Sequence, residues 1–342
     1  MEIDTAAGSE APPETPAMPE TAAGSRWARA AGIACWSAVA LVGLFTVVRL
    51  FGLERTWYVD TFMAFSPYVA LLSVFPLVFA IALRRWRATV VAAVCTAILV
   101  TLIAPRTIGG PDPGPGPRLR VMSSNMKVGA ADPATLVSLV RTHQVDVLAL
   151  EEYTTAAQAA LTAAGLRTLL PYAAEHALPG SAYGSGIFSR YPLSDEGYQQ
   201  LAAGFGSEYA TIHVPGALPL VVYAVHSVAP ITPPTDPNWA LSLHQQPPAT
   251  PHGEVKLLIG DFNATLDHAR LRALLATGYR DIATVLGDGL DTTWPYDGRP
   301  IPPIAIDHVF ADPRIGAVYY GSGQVPRTDH KAIWATLTLP PA

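Results

Sequence analysis

The stretch VKLLIGDFN, residues 255–263, decides how this chain is read. Its apolar run is short and almost unbroken, which marks a strand buried on both faces. The run ends in Asp261 and Asn263, two positions apart, so both polar side chains leave the strand on one face. An Asx turn is the bland account of such a pair. Partners elsewhere in the chain favour chemistry.

Four further segments have the same construction. RLRVMSS (118–124) runs into Asn125, VDVLALE (145–151) runs into Glu152, ALPLVVYAVHS (217–227) carries His226, and GSGIFSRYPL (184–193) reads as another strand. Near the C-terminus, AIDHVF (305–310) contains Asp307, and TDH (328–330) contains Asp329 and His330. Strand ends are where a rigid sheet can gather acids, amides and imidazoles around one ion. Asp132 and Pro133 supply an N-cap and first helical residue for a helix to about His143, burying Leu136, Val137, Leu139 and Val140. Leu271, Leu274 and Leu275 repeat at helical spacing between Asp267 and Thr277. Mixed strands with outer helices predict an α/β fold, a four-layer sandwich of two mixed sheets flanked by helices.

The other end of the chain is different. A mean hydropathy of +0.27 with 14% charged residues is too apolar for an ordinary soluble enzyme of 342 residues. Residues 30–48, 61–83 and 88–104 contain no Asp, Glu, Lys or Arg. Each is long enough to cross a hydrocarbon core of about 30 Å, so three transmembrane helices are expected over 26–104. Pro67 and Pro76 are expected to bend the second. Arg26, Arg29, Arg84, Arg85 and Arg87 flank one side, against Arg49 and Arg55 on the other. That bias puts the N-terminus in the cytoplasm and everything after the third span outside. Residues 1–25 read as a disordered cytoplasmic tail. PRTIGGPDPGPGP (105–117) reads as an extended Pro/Gly linker, and 118–342 as a single catalytic domain. Both cysteines, Cys35 and Cys95, fall inside the apolar spans, which leaves the outer domain without thiols.

GDFN with the terminal TDH, supported by VMSSN and SGIFSRYPL, resembles the endonuclease/exonuclease/phosphatase superfamily over nearly all of 118–340. Three membrane spans before such an outward-facing domain are also similar to actinobacterial membrane proteins associated with teicoplanin-type glycopeptide resistance. The superfamily resemblance implies a metal-dependent phosphoesterase. It aligns Glu152 with a metal ligand and puts Glu151 where relatives carry Gln; a register slip of one exchanges the two. It also implies that Asp307 orients His330, and that Asp329 lies near the metal.

The residue types suit that chemistry. Glu152 and Asn125 are hard oxygen ligands for Mg²⁺ or Mn²⁺, with Asp329 as a further metal-site residue. Asp261 can orient or deprotonate the attacking water while the Asn263 amide donates to phosphoryl oxygens. His330 is the general-base candidate, and His226 contacts the phosphoryl or leaving oxygen. His308 follows Asp307 and therefore faces the other way, as a structural residue. Trp239 and Trp294 are loop aromatics open to either packing or ligand contact. The remaining histidines lack metal-ligand spacing, so zinc is not expected.

From residue 118 onward there are 14 Lys and Arg against 19 Asp and Glu, with no basic cluster. Nucleic-acid binding draws on phosphate neutralisation, so that balance disfavours it. Tethering to a bilayer raises the local concentration of lipid substrates. The expected substrate is therefore a lipid-linked cell-envelope phosphate, a polyprenyl pyrophosphate or a phospholipid. A surface-tethered nuclease and an inactive membrane-anchored binding or sensing domain are the alternatives.

Overall fold

A computed structural model describes residues 22–342, so most of the tail expected over 1–25 lies outside the described residues. Helix α1 (Ala22–Phe51) begins within that tail segment. α1 and α5 (Trp86–Ile103) are both long and apolar enough to cross a membrane. The expected middle span is instead broken into α2 (Trp57–Met63), α3 (Ser66–Leu72) and α4 (Val74–Ala82). α2 is bent by 67° from the run Ser66–Ala82, so the third candidate is a bent pair rather than one straight helix.

Pro67 accounts for the bend. It lies in the first turn of α3 and has no N–H to bond the carbonyl four residues back, that of Met63. The Ser66 hydroxyl donates to the Met63 carbonyl at 2.7 Å and satisfies it. A broken apolar helix is tolerable when its freed backbone groups find such partners.

The catalytic body is a four-layer sandwich. One sheet runs β11 (Gly316–Gln324), β12 (Lys331–Thr338), β1 (Arg118–Asn125), β2 (Val147–Glu151), β4 (Ser185–Ser189), β3 (Tyr172–His176). The other runs β5 (Leu193–Gln200), β6 (Gly206–Ile212), β7 (Leu220–His226), β8 (Val255–Asp261), β10 (Asp307–Ala311), β9 (Arg280–Asp281). β1 pairs with β2, and β7 with β8, in parallel; the remaining pairs are antiparallel, so both sheets are mixed.

Alternation along the strands builds the layers. Val121, Val147, Ala149 and Ile187 of one sheet meet Val222, Ala224, Leu257, Ile259 and Val309 of the other in a central core. The intervening residues Met122, Leu148, Leu150 and Phe188 face outward onto α6 (Pro133–Thr142) and α7 (Thr155–Ala163). Leu258 and Phe310 face the opposite way, onto α9 (Thr235–His244) and α10 (Ala269–Leu275), with the short α8 (Leu166–Leu169) and α11 (Ile282–Leu286) completing the body. β7 and β8 are central and covered on both sides, as their unbroken apolar composition demands.

The Pro/Gly segment is not a free spacer. Arg106 turns into the body, Gly110 N–H donates to the Val285 carbonyl at 3.1 Å, and Asp112 and Ala317 exchange backbone hydrogen bonds at 2.7 and 2.9 Å. Gly109 lies so close to Val285–Gly287 that a Cβ would stand 2.3 Å from the Val285 carbonyl oxygen. The apolar helices and the catalytic body are therefore directly packed. Buried Asp267 accepts from Arg49 at 2.8 Å and, through both oxygens, from Arg106 at 2.6 and 2.9 Å. Arg270 bonds Asp60 at 2.6 Å, and the Ala269 N–H donates to Glu54 at 3.2 Å. His268 Nδ1 accepts from the Thr265 N–H at 2.9 Å, so its Nε2–H donates to the Asp60 carbonyl at 2.8 Å.

Candidate active site

Strand register brings the site together. His226, Asp261 and Asp307 are cross-strand neighbours on β7, β8 and β10, while Asn125 and Glu151 are neighbours on β1 and β2. Both groups lie at strand ends that open into the same cleft. Asn125 bridges the sheets: its amide donates to Glu152 at 3.2 Å and to Asp261 at 3.1 Å, and its carbonyl oxygen accepts from the Lys127 N–H at 2.9 Å.

The two adjacent glutamates part company. Glu151 is fully buried, accepting from the Ser123 hydroxyl at 2.9 and 3.0 Å. Burial, then the charges of Asp307 and Asp261, push its carboxyl well above the ordinary range. Glu152 takes a left-handed φ of 53°, which swings its side chain to the cleft, where it accepts from the Val128 N–H at 2.8 Å. Gly260 makes room for this arrangement. A Cβ there would stand 2.2 Å from the Val225 carbonyl and 2.8 Å from Glu151, and φ is +143°.

His330 stands behind Asp261. Its Nδ1–H donates to the Asp307 carboxylate at 3.0 Å, leaving Nε2 3.7 Å from Asp261. Burial works to lower the imidazole, but Asp307 and Asp261 outweigh it and lift His330 to about 10. Burial raises Asp261 to about 7, against the opposing pull of His330. His330 is therefore a charged donor in the protein alone; acting as a base requires that proton to leave first. His226 is the converse case. Burial holds it below its usual value, its Nδ1–H donates to the Ala182 carbonyl at 3.1 Å, and Nε2 lies 3.8 Å from both Glu152 and Asp261. Asn263 donates to the Ser227 carbonyl at 2.8 Å, and its N–H closes a turn on Asp261 at 2.8 Å. Both accounts of the Asp261–Asn263 pair thus hold at once, an Asx turn and a place in the cleft.

A scan against family models matches residues 122–330 to the endonuclease/exonuclease/phosphatase family. The chain belongs to that family. Endonuclease/exonuclease/phosphatase proteins are metal-dependent phosphoester hydrolases, and this chain is an enzyme of that kind. Solved structures share the fold. An endonuclease/exonuclease/phosphatase from Beutenbergia cavernae is 19% identical at TM-score 0.50, covering 65% of this chain and 72% of its own. A humanized D. rerio TDP2 is 17% identical at TM-score 0.52, covering 65% and 99%. D. rerio TDP2 complexed with a single-strand DNA product is 19% identical at TM-score 0.51, again covering 65% and 99%. No curated protein matches the chain.

The donor set of this family member fits a divalent cation. Asp261, Asp307 and His330 place ligand-capable atoms within 4.8 Å of one another, all buried. Glu152 adds a carboxylate at the same cleft, Asn125 would offer its oxygen there after its amide turns over, and His330 alone does not balance the three carboxylates Glu152, Asp261 and Asp307. Asp329 is otherwise engaged: it accepts from Trp294 Nε1 at 3.1 Å and Arg299 at 3.0 Å, with Lys127 3.6 Å away. His308 faces away, donating through Nε2 to the Ala264 carbonyl at 2.9 Å. Trp239 is wholly buried on α9, whereas Trp294 lines the cleft beneath the Arg299 guanidinium.

Lys127 and Arg299 are cleft-side cations that the sequence reading did not single out. Lys127, two residues after Asn125, was findable by position. Arg299 lies in an irregular loop with no periodic signal.

Proposed function

We propose that this family member is a multi-pass membrane enzyme whose catalytic domain lies outside the cell. On this reading it hydrolyses a phosphodiester or pyrophosphate bond in a lipid-linked envelope substrate, a polyprenyl pyrophosphate or a phospholipid. One observation carries the reading: the catalytic body is clamped onto apolar, membrane-length helices through Asp267 between Arg49 and Arg106. Such rigid seating holds the cleft beside a bilayer, which benefits an enzyme whose substrate is embedded there. The net acidic charge of the body agrees with it. A part in glycopeptide resistance belongs to the same proposal.

In this mechanism Glu152 and Asn125 would hold Mg²⁺ or Mn²⁺, whose charge neutralises the phosphoryl oxygens. Asp261 orients the attacking water and takes up its proton. His330, steadied by Asp307, lies behind it and stabilises the charge that develops. His226 faces the phosphoryl or leaving oxygen through Nε2, which donates there once it takes up a proton, and Asn263 supplies an amide donor. Lys127, Arg299 and Asp329 form a charged rim that orients the headgroup.

The test uses full-length protein in detergent, with Mg²⁺ or EDTA, and follows inorganic phosphate from undecaprenyl pyrophosphate, the released phosphomonoester or alcohol from phospholipid, and strand scission of DNA. Metal-dependent turnover of a lipid substrate, lost in Asp261→Ala, is expected. Cleavage of DNA alone would replace this reading with a surface-tethered nuclease.

A further inference from the structure

We propose that the elbow between α2 and α3 forms the specificity wall of the active site. Ala64 and Phe65, with Ile231, Ile301 and Ile304, hold the apolar chain of an amphiphilic substrate while its phosphate lies at Asp261 and His330. This inference rests on the lipid-linked reading above and names the surface that would read the lipid.

The observation is a single cleft of about 430 Å³ with two chemically distinct parts. One part is lined by the polar groups of the site, among them Glu152, Asp261 and His330; the other is lined by the elbow and two loops of the body. Those loops are pinned to the elbow region. The Thr61 hydroxyl donates to the Pro230 carbonyl at 2.9 Å, next to Ile231, and the Tyr68 hydroxyl donates to the Pro303 carbonyl at 2.6 Å, next to Ile304. The apolar wall is thus built jointly by the bent helix pair and the catalytic body.

Its occupant follows from chemistry and continuity. Ile231 is 64% exposed and Ile301 38%, so the wall leaves large apolar side chains open beside a charged centre. An aliphatic chain covers such surface and gains by leaving water. A nucleic acid would call for Lys or Arg along its path, and the residues that the elbow and its two pinned loops contribute to the cleft include neither, Lys127 entering from the catalytic end. The 67° bend carries the apolar helix to the catalytic body, so the wall is continuous with a segment suited to lipid.

The test compares full-length wild type, Ala64→Trp and Ile301→Asp in detergent on farnesyl, geranylgeranyl and undecaprenyl pyrophosphate. Wild type is expected to gain kcat/KM with chain length, and each variant to lower the long-to-short ratio roughly tenfold or more. A wild type that turns over these substrates but treats all chain lengths alike overturns the elbow's role, and one that turns over none of them and no phospholipid sinks the lipid-linked reading. Preference for the long chain that both variants retain overturns the elbow's role alone. A readout independent of turnover uses undecaprenyl phosphate carrying a diazirine in its tail, irradiated with the protein in Mg²⁺. Labelling of peptides containing Phe65, Ile231 or Ile301 supports the proposal; labelling confined to α1 and α5 overturns it.

Discussion

Asp267 and Arg106 are joined by two hydrogen bonds, at 2.6 and 2.9 Å, and Asp267 has no exposed surface. Burial alone would raise this carboxyl, but Arg106 and Arg49 hold it below the ordinary carboxylate range. Asp267→Ala leaves two buried guanidinium groups without their anion, a change worth about 3–5 kcal/mol. We expect a lower unfolding midpoint in detergent together with new protease cleavage between residues 105 and 117. Wild-type resistance at that segment would mean that the clamp does not hold the helices and body together.

The His330–Asp307 pair makes a kinetic prediction. Asp307→Asn removes the carboxylate that receives the Nδ1–H at 3.0 Å, freeing the ring to turn. A loss in kcat of about 10²–10⁴-fold is expected, with KM little changed. A change in KM as well would mean that the pair also shapes substrate binding, and circular dichroism checks the folded fraction, whose loss would by itself lower kcat at unchanged KM.

Divalent-ion binding should release protons. Asp261 holds its proton up to about 7 and His330 up to about 10, and a cation in the cleft opposes both. The Asp261 proton should therefore lower apparent Mg²⁺ affinity by up to about tenfold per unit as pH drops below about 7, and release of the His330 proton adds the same slope from about 10 downward. Calorimetry in buffers of differing ionisation enthalpy counts the released protons, and a count of zero refutes the coupling. In the absence of metal the sign of the His330 contribution is fixed. Its folded value is raised, so its stabilisation is complete below 6.5 and is lost as pH climbs through about 10.

Glu208 on β6 is buried, and that burial raises it to about 7 from 4.5. A raised carboxyl binds its proton more tightly when folded, so stability falls as pH rises from 4.5 through 7. Glu208→Gln should stabilise the protein at pH 8 by about 2 kcal/mol, with the gain nearly gone by pH 4. Unfolding midpoints of both proteins across that range decide the matter.

Gly260→Ala tests the packing behind the site. The added methyl meets the Val225 carbonyl and Glu151 in a left-handed backbone that an L side chain resists. The end of β8 must shift, so loss of activity should exceed loss of stability. Activity near wild type would show that the cleft tolerates the displacement.

The amino-acid sequence by itself determined the sandwich and the pool of chemical groups. Nearly unbroken apolar runs such as LVVYAV and VKLLIG, short and bounded by polar residues, read as central buried strands, and their polar ends then fall where strands end. Strands with mixed patterns were less legible: β5, LSDEGYQQ, is a half-exposed edge whose polarity hides it. Only the tertiary structure decided which glutamate faces the cleft, because the left-handed turn at Glu152 interrupts the alternation that a flat strand would impose. It alone decided that Asp329 is engaged by Lys127, Arg299 and Trp294, since those residues are scattered along the chain and meet in space. It likewise decided that the Pro/Gly segment packs against the body. Asp267, which holds that arrangement, finds its partners 218 and 161 residues away, and no local pattern records a pairing at such range.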